Sequence, residues 1–101
     1  MVVARMSIWK FKGGQREAAF NTLERTAAEE SRRTRGYRGR LQLLSVEDPD
    51  AGIIITLWED EEALNASAHG LFKGAVQELK QYVAAPPRVE KYKLDGAEMF
   101  I

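Results

Sequence analysis

Hydrophobic positions along this chain follow two different periods, one typical of strands and one typical of helices. Residues 2–11, 37–46 and 52–58 are rich in β-branched and aromatic side chains, and residues 88–94 alternate between polar and apolar side chains. Segments of this kind are typical of β-strands. Residues 47–51, Glu-Asp-Pro-Asp-Ala, have the composition of a hairpin loop. The pattern therefore predicts four strands, with a hairpin between the second and the third.

Two segments between these strands carry apolar residues every three or four positions, which predicts helices. The first covers residues 15–34. The second is expected to begin at Asp60, whose side chain can cap a helix N-terminus, and to be broken at Gly70. Pro86 and Pro87 end it before the last strand. Its apolar face consists of Leu64, Ala68, Leu71, Phe72, Ala75, Val76, Leu79, Tyr82 and Val83.

The order of these elements predicts an α+β fold, a ferredoxin-like βαββαβ sandwich with a four-stranded antiparallel sheet. Two helices cover only one face of such a sheet, yet the third strand is apolar at both parities. One parity carries Ile53, Ile55 and Leu57, and the other carries apolar residues at 54 and 58. Because a strand that is apolar on both faces needs burial on both, we expect a homodimer in which a second copy covers the free face.

The length and charge of the chain limit its partners. A chain of 101 residues fits a single domain over residues 1–101, with its core in residues 3–94 and a C-terminal tail in residues 95–101. Fifteen basic and fifteen acidic residues cancel, so no overall field favours a nucleic acid or an acidic membrane. No apolar run approaches the ~18 residues of a membrane span, and Arg5 interrupts the segment where a signal peptide would be apolar. We expect a soluble cytoplasmic protein with no nucleic-acid or membrane partner.

The one basic cluster, residues 32–40, has two interpretations. An Arg-Gly-Tyr on this fold is similar to part of the RNA-recognition motif, which stacks bases on aromatic side chains. The match ends after three residues, because Arg38 stands where glycine or alanine is needed. The alternative is structural, since cations stabilise a helix C-terminus, and Glu29 and Arg33 have the order of a helical ion pair. The structural interpretation is favoured.

Residue types that carry common catalytic chemistry are scarce. The chain has no cysteine, which excludes disulfides, thiolate nucleophiles, iron–sulfur clusters and cysteine-based zinc sites. Its single histidine, His69, excludes multi-histidine metal sites, and the acids at 59–62 are consecutive, so they spread around a helix start. We expect neither a metal nor a cofactor. The position of His69 beside the apolar helix face favours a partly buried structural role over a functional one.

Trp58 is the most informative candidate for a ligand pocket. It ends a central strand, where it can either fill the core beneath the second helix or orient a ligand through its indole N–H. Four other aromatic residues are candidate pocket walls, and four polar residues are close enough in the predicted layout to converge there. These groups are too few to name a reaction. The aromatic residues are Trp9, Tyr37, Phe72 and Tyr82, and the polar residues are Arg5, Thr56, Asn65 and Ser67.

Four motifs follow one another along residues 3–94: KFKGGQREAAF, RGYRGRLQLL, IIITLWEDEEALNASAHGLF and PPRVEKYKL. The most specific element is the strand-ending Trp58, followed by a Glu-Glu-Ala and then by a Ser-x-His-x-x-Phe that ends at Phe72. In this order and spacing the motifs resemble the antibiotic biosynthesis monooxygenase family of the dimeric α/β barrel superfamily. The resemblance implies two sheets that close a barrel across a dimer, with a pocket in each subunit between its own sheet and helices.

The resemblance also implies a function. Some members of the family are oxygenases that need no metal or flavin, because an electron-rich phenol or quinol itself reduces O2. On this analogy the chain is a cofactor-independent monooxygenase that acts on a small phenolic or quinol aromatic, with Trp58 and His69 as catalytic residues. The expected substrate-binding residues are Met6, Tyr37, Thr56, Asn65 and Phe72.

Two other functions stay open at this point. A dimeric module of the same fold that binds or senses a small molecule without catalysis is equally compatible with the sequence. Other members of the family degrade haem, using an asparagine on the first strand and a histidine on the second helix beyond the phenylalanine. Met6 and Val76 occupy those positions here, so the haem hypothesis loses its anchor residues.

Overall fold

Four strands and three helices form this protein. The computed structural model describes the backbone of residues 1–101 and the side chains of residues 1–27 and 29–101. The predicted α+β order is confirmed, with the second helix divided in two. The elements are β1 (Val3–Lys10), α1 (Arg16–Arg33), β2 (Tyr37–Leu44), β3 (Ala51–Trp58), α2 (Glu61–Ala68), α3 (Leu71–Leu79) and β4 (Arg88–Lys93).

The four strands form one antiparallel sheet in the order β2-β3-β1-β4. The predicted ferredoxin-like sandwich is therefore confirmed, with β1 and β3 in the centre of the sheet. In the register of the sheet, Thr56 of β3 lies opposite Arg5 of β1 on one side and opposite Arg40 of β2 on the other. Directly opposed residues of an antiparallel pair project to the same face, so these three side chains form one row across the sheet.

The core beneath the helices consists of two separate apolar clusters, one at each end of the central strands. The first cluster contains Trp9 and the second contains Trp58. Arg5, Ser7 and Thr56 lie between the two clusters along β1 and β3 and face the helices with them. The first cluster is Trp9, Phe11, Ala19, Leu23, Ala27, Ile54 and Leu79, and the second is Val3, Trp58 and Leu64.

The opposite face of the sheet, which we call the open sheet face, is apolar and has no helix over it. The predicted parity of β3 is confirmed, because Ile54 and Trp58 are buried under the helices while residues 53, 55 and 57 face the other way and are half-buried. Leu43 and Tyr92 on the same face are 46% and 51% exposed. The central residues of this face are Met6, Ile8, Leu41, Ile53, Ile55 and Leu57.

The local signals at the start and the break of the second helical segment act as predicted. The Asp60 carboxylate accepts a hydrogen bond of 2.8 Å from the Ala63 backbone N–H, and this caps α2. The helix ends at Ala68, and the backbone of Gly70 adopts φ −117° and ψ −95° before α3 begins. This turn leaves His69 exposed, so the prediction that His69 is partly buried is wrong.

Ion pairs and membrane propensity complete the outline of the fold. The predicted helical pair of Glu29 and Arg33 is present, at 2.6 Å between Oε1 and Nη2. Both side chains are largely exposed, so the pair adds little to stability. Among the helices that the structure describes, none is long and apolar enough to cross a membrane.

Candidate functional site

A narrow cavity lies between the sheet and the helices α1 and α3. Its volume is about 40 Å³, which is room for about three water molecules at ~10–15 Å³ each. The cavity occupies the gap between the two apolar clusters, so its floor is the row of polar side chains on β1, β2 and β3. Its lining residues are Arg5, Ser7, Leu23, Ala27, Ser31, Arg40, Ile54, Thr56, Trp58, Leu71, Phe72 and Ala75.

Arg5 contributes a buried positive charge to the cavity. Its exposure is 3%, and its one hydrogen bond runs from Nη2 to the backbone carbonyl of Leu64 at 2.8 Å. Its Cζ atom lies 4.5 Å from the centre of the Phe72 ring, within the range of a cation–π contact. Desolvation by burial lowers the pKa of the Arg5 guanidinium. No carboxylate forms an ion pair with Arg5 among the residues that the structure describes.

Arg40, on the other side of Thr56, differs from Arg5 in having a counterion. Its Nη2 donates to the Glu24 carboxylate of α1 at 2.8 Å. The Arg40 side chain is 14% exposed, so this pair is partly shielded from water. Two guanidinium groups therefore border the cavity, and the charge of only one of them is balanced by an acid.

Thr56 and Trp58 are joined by a hydrogen bond within β3. The Trp58 indole N–H donates to Thr56 Oγ1 at 2.9 Å, and the Trp58 side chain is completely buried. The Tyr37 ring packs edge-on against the indole, with 5.6 Å between ring centres. Because the indole N–H is used here, Trp58 offers the cavity its ring and not a hydrogen-bond donor. The Thr56 hydroxyl accepts this bond and keeps its own proton for another acceptor.

The two serine hydroxyls of the cavity are engaged in holding the fold together. Ser7 Oγ donates to the Ile54 carbonyl at 3.2 Å and accepts the Trp9 indole N–H at 2.8 Å. Ser31 Oγ donates to the Ala27 carbonyl of its own helix at 2.6 Å. The donors that stay available to a ligand are therefore those of Arg5, Thr56 and the N–H groups of Arg40 that do not bind Glu24.

The cavity brings together three of the residues predicted from the sequence. Thr56 forms part of its floor, Trp58 one end, and Phe72 part of its helical cover. A fourth, Tyr37, packs against the Trp58 ring and lies outside the lining. Tyr37 thus supports the wall that Trp58 forms.

Three other predicted site residues lie away from the cavity. Met6 projects to the open sheet face, because it has the opposite parity to the buried Arg5 on the same strand. Asn65 is exposed, and its Oδ1 accepts a hydrogen bond of 3.2 Å from Lys91 of β4. His69 is exposed at the end of α2 and does not line the cavity. The geometry therefore does not support contacts from these three residues to a ligand in this cavity.

Ser7, Ser31 and Arg40 line the cavity and were missed from the sequence, and Arg5 was considered only as a nearby polar group. A signal for the first strand was available. Arg5 and Ser7 have the same parity as the apolar residues at 3, 9 and 11, so they are polar residues within a core-facing row. A buried polar side chain in an apolar row is more informative than an exposed one.

The chemistry of the lining is that of a donor site without a base. None of the described lining residues is an aspartate, glutamate, histidine or cysteine. Within the described residues, no three such side chains come together as metal ligands either. The arrangement can bind a flat apolar group and stabilise negative charge on it, through a cation and a hydroxyl.

Comparison with known proteins gives one family. The sequence model of the antibiotic biosynthesis monooxygenase family matches residues 1–83 of this chain. A comparison with curated proteins finds no match. The match spans β1 to α3 and therefore includes every element that lines the cavity.

Solved structures of several proteins share the fold. A protein of unknown function from Nitrosomonas europaea gives a TM-score of 0.80 at 21% identity, over 99% of this chain and 95% of that protein. A conserved protein from Methanosarcina mazei gives 0.77 at 17% identity, over 92% of each chain. SnoaB, a cofactor-independent oxygenase from Streptomyces nogalater, gives 0.76 at 14% identity, over 95% of each chain. Identities this low establish a common fold and leave the activity to be decided by the site.

Proposed function

This chain belongs to the antibiotic biosynthesis monooxygenase family, and on that premise we propose that its cavity oxidises a small phenolic or quinol aromatic without a cofactor. The observation that carries the proposal is the composition of the cavity. Trp58 and Phe72 supply aromatic surface, while Arg5 and Thr56, together with the unused N–H groups of Arg40, supply hydrogen-bond donors. One protein of the same fold, SnoaB, is a cofactor-independent oxygenase.

The proposed reaction uses the substrate as the reductant. The ionised ring gives one electron to O2, and the resulting superoxide and ring radical combine to form a carbon–oxygen bond. The peroxide anion takes up one proton, which replaces the one lost from the phenol. The hydroperoxide then loses water together with the hydrogen of the same ring carbon, so a carbonyl oxygen remains on the ring and all the electrons that reduce O2 come from the substrate. The protein orients the ring, stabilises its charged oxygen and keeps water away from the intermediates.

Admission of a ring to the cavity requires movement of its cover. A volume of about 40 Å³ holds a few waters, whereas drug-sized ligands occupy pockets of roughly 300–1,000 Å³. Leu71 and Phe72 are half-buried side chains on the short helix α3, which follows the break at Gly70. We infer that α3 shifts outwards when the substrate enters and closes over it afterwards.

The assembly that we propose for this enzyme is a homodimer with two open sheet faces in contact. Support for it comes from the apolar residues of that face, of which Leu43 and Tyr92 are about half exposed. An apolar patch of this kind is typical of a protein–protein interface. The cavity lies on the other side of the sheet, so each subunit would keep its own site.

Oxygen uptake with a panel of hydroquinones tests the oxygenase. We expect uptake above the uncatalysed background for at least one member, and a loss of most of it in Trp58→Phe and Thr56→Val, because both variants alter the cavity. Arg38→Met serves as the control, since Arg38 is on the surface, where it pairs with Glu59. Uptake equal to background for every panel member would remove the proposal for those substrates.

His69→Ala decides the role of the histidine that the family resemblance implies. Because His69 is exposed and does not line the cavity, we expect the variant to retain the rate of the parent. A loss of oxygen uptake in a variant that stays folded would restore His69 as a catalytic candidate.

A second function is favoured by one specific observation, the absence of a proton acceptor among the described lining residues. A module that binds an aromatic ligand without changing it needs no such group. Ligand binding by calorimetry without any oxygen uptake would support this non-catalytic function over the oxygenase.

A further inference from the structure

Arg5 is a buried cation whose charge is not balanced by an acid. Only 3% of the surface of Arg5 is exposed, and Arg5 forms no ion pair among the described residues. Burial of an unpaired ion is strongly unfavourable, and buried charges in proteins are normally paired. The two contacts that Arg5 does make, with the Leu64 carbonyl and the Phe72 ring, are weak substitutes for a carboxylate.

Arg5 and Thr56 both have hydrogen-bond donors that no described residue uses. Nη1 and Nε of Arg5 have no hydrogen-bond acceptor among the described residues. Thr56 lies directly opposite Arg5 across β1 and β3, and opposed residues have Cβ atoms about 4.5–5.5 Å apart. The Thr56 hydroxyl accepts the bond from Trp58 and donates to no acceptor among the described residues, so its proton is also free. A guanidinium and a hydroxyl with unused donors thus line one small volume together with aromatic rings.

We propose that Arg5 and Thr56 bind an anionic oxygen attached to a flat aromatic ring, so that the cavity takes its ligand as the anion. The choice of an aromatic ligand rests on the proposed function. The ionised state of the ligand is also part of that function. The assignment of anion binding to Arg5 and Thr56, for ligands that do not react as well as for substrates, goes beyond it and is tested by binding alone. The oxygen belongs to a phenolate or to a carboxylate, which present the same chemistry to a guanidinium.

In this arrangement Arg5 favours ionisation of the ligand without accepting its proton. A bound phenol loses its proton to solvent, and the guanidinium stabilises the phenolate that stays, so no protein carboxylate or imidazole is needed. The ligand's pKa is therefore lower in the complex than in water. Affinity for a phenol should rise as the pH increases from the pKa of the bound form to that of the free form, and then stay constant.

The charged groups around Arg5 do not alter this pH dependence near neutrality. Arg40 on β2 is paired with Glu24 of α1, and Lys91 on β4, opposite Arg5 in the sheet, is hydrogen-bonded to Asn65 of α2. From α3 the facing group is the uncharged ring of Phe72. Arginine, lysine and glutamate have ordinary pKa values far from 7, so the dependence should follow the ligand.

The test uses small probes that do not react with O2 under the conditions of binding. 4-Nitrophenol reports its own ionisation through the visible absorption of the phenolate, and benzoate with its neutral analogue benzamide reports preference for a carboxylate anion. We expect the protein to lower the pKa of bound 4-nitrophenol and to bind benzoate at least about tenfold more tightly than benzamide. Binding of one anion and not the other identifies the source of the oxygen, and either supports the proposal.

Variants assign the effect to Arg5. In Arg5→Met, affinity for both anions should fall about tenfold or more while affinity for benzamide stays the same, and Arg5→Lys should keep part of the preference because it keeps the charge. Arg38→Met removes one exposed positive charge and should have no effect. Equal anion affinity in the parent and in Arg5→Met would overturn the proposal.

Two further observations keep the result unambiguous. Arg5→Met should be at least as stable as the parent, because it removes an unpaired buried charge and because the Leu64 carbonyl keeps the Ser67 hydroxyl as a donor at 2.6 Å. If the variant fails to fold, the parent alone decides: an unchanged pKa of 4-nitrophenol together with equal affinity for benzoate and benzamide overturns the proposal. Anion preference without oxygen uptake would remove the oxygenase proposal for the substrates tested and leave this inference standing.

Discussion

The side-chain amide of Gln42, on the covered face of the sheet, is a polar group whose burial lowers the stability of the protein. Gln42 is on β2, opposite Ile54 of β3, and its Nε2 is buried without a hydrogen-bond partner among the described residues. Such a group loses its hydrogen bonds to water on folding and receives nothing in return. It does not line the cavity, so no ligand contact accounts for it.

We therefore expect Gln42→Met to stabilise the protein by about 1 kcal/mol, because it removes the unsatisfied nitrogen and nearly keeps the shape of the side chain. Urea denaturation at a fixed protein concentration measures the effect as a higher midpoint with an unchanged slope. Gln77→Met is the matched control, because Gln77 is exposed on α3 and its change should stay within about 0.5 kcal/mol. A lower midpoint for Gln42→Met would show that the amide is satisfied in solution.

Residue-scale predictions from sequence succeeded where parity or spacing determines the outcome. Thr56 and Trp58 reached the cavity because they share a strand face, and Asp60 became a cap because of its place before a helix. Met6 lies on the open sheet face, because neighbouring residues of a strand project to opposite faces. His69 lies outside the cavity lining, because its environment depends on how the chain turns at Gly70, which no periodicity specifies.

At the scale of elements, α3 is the part of the fold with the weakest local support. It has nine residues, no side-chain cap at its N-terminus and a glycine, Gly74, in its interior. Short helices gain most of their stability from tertiary packing. The end of α3 packs in the first cluster through Leu79, whereas Leu71 and Phe72 at its start cover the cavity. The start of α3, which the proposed entry of a substrate would displace, thus has less packing beneath it than a helix over a filled core.

Gly74→Ala should raise stability by about 0.5–1 kcal/mol, because alanine is a better helix former and nothing lies within 4 Å of the position its Cβ would take. Thermal denaturation measures this as an increase of several degrees in Tm, at about 4–8 °C per kcal/mol for a domain of this size. Gly52→Ala is the contrasting variant, since a Cβ there would lie 2.9 Å from the Phe20 ring and 3.1 Å from the Leu43 carbonyl. It should lower Tm, and an increase in both variants would contradict the packing around Gly52.

At the scale of the whole molecule, the order of elements and a pocket between sheet and helices were predictable, and the full lining of the cavity was not. The periods of the hydrophobic pattern identify strands and helices locally, and the βαββαβ order then leaves few ways to arrange them. The cavity depends on residues from five elements, β1, β2, β3, α1 and α3, and on an apolar core that stops short on either side of Arg5. No single segment of the sequence shows where each apolar cluster ends, so the position of the gap between the two clusters could not be predicted.

The proposed homodimer gives a prediction at this scale. Ile55 lies in the middle of the open sheet face, opposite Met6 on one side and Leu41 on the other. Ile55→Glu should convert a dimer to a monomer, because a carboxylate there would be buried without a partner on association. Light scattering with size-exclusion chromatography measures the mass of each form.

Val46→Glu is the control for this experiment, because Val46 is fully exposed and lies outside the strands. It adds the same charge and should leave the dimer intact. A mass of one chain for the parent at micromolar concentration would refute the proposed assembly.

The division of the core into two clusters has a spectroscopic consequence. The chain has two tryptophans, one in each cluster, and each indole N–H donates to a hydroxyl two residues earlier on its own strand. Trp9→Phe would leave Trp58 as the sole fluorophore beside the cavity, and Trp58→Phe would leave Trp9 as a reporter at the far end of the sheet. The pair would show by emission alone whether the ends of this small domain melt together, and which of them senses an arriving ligand.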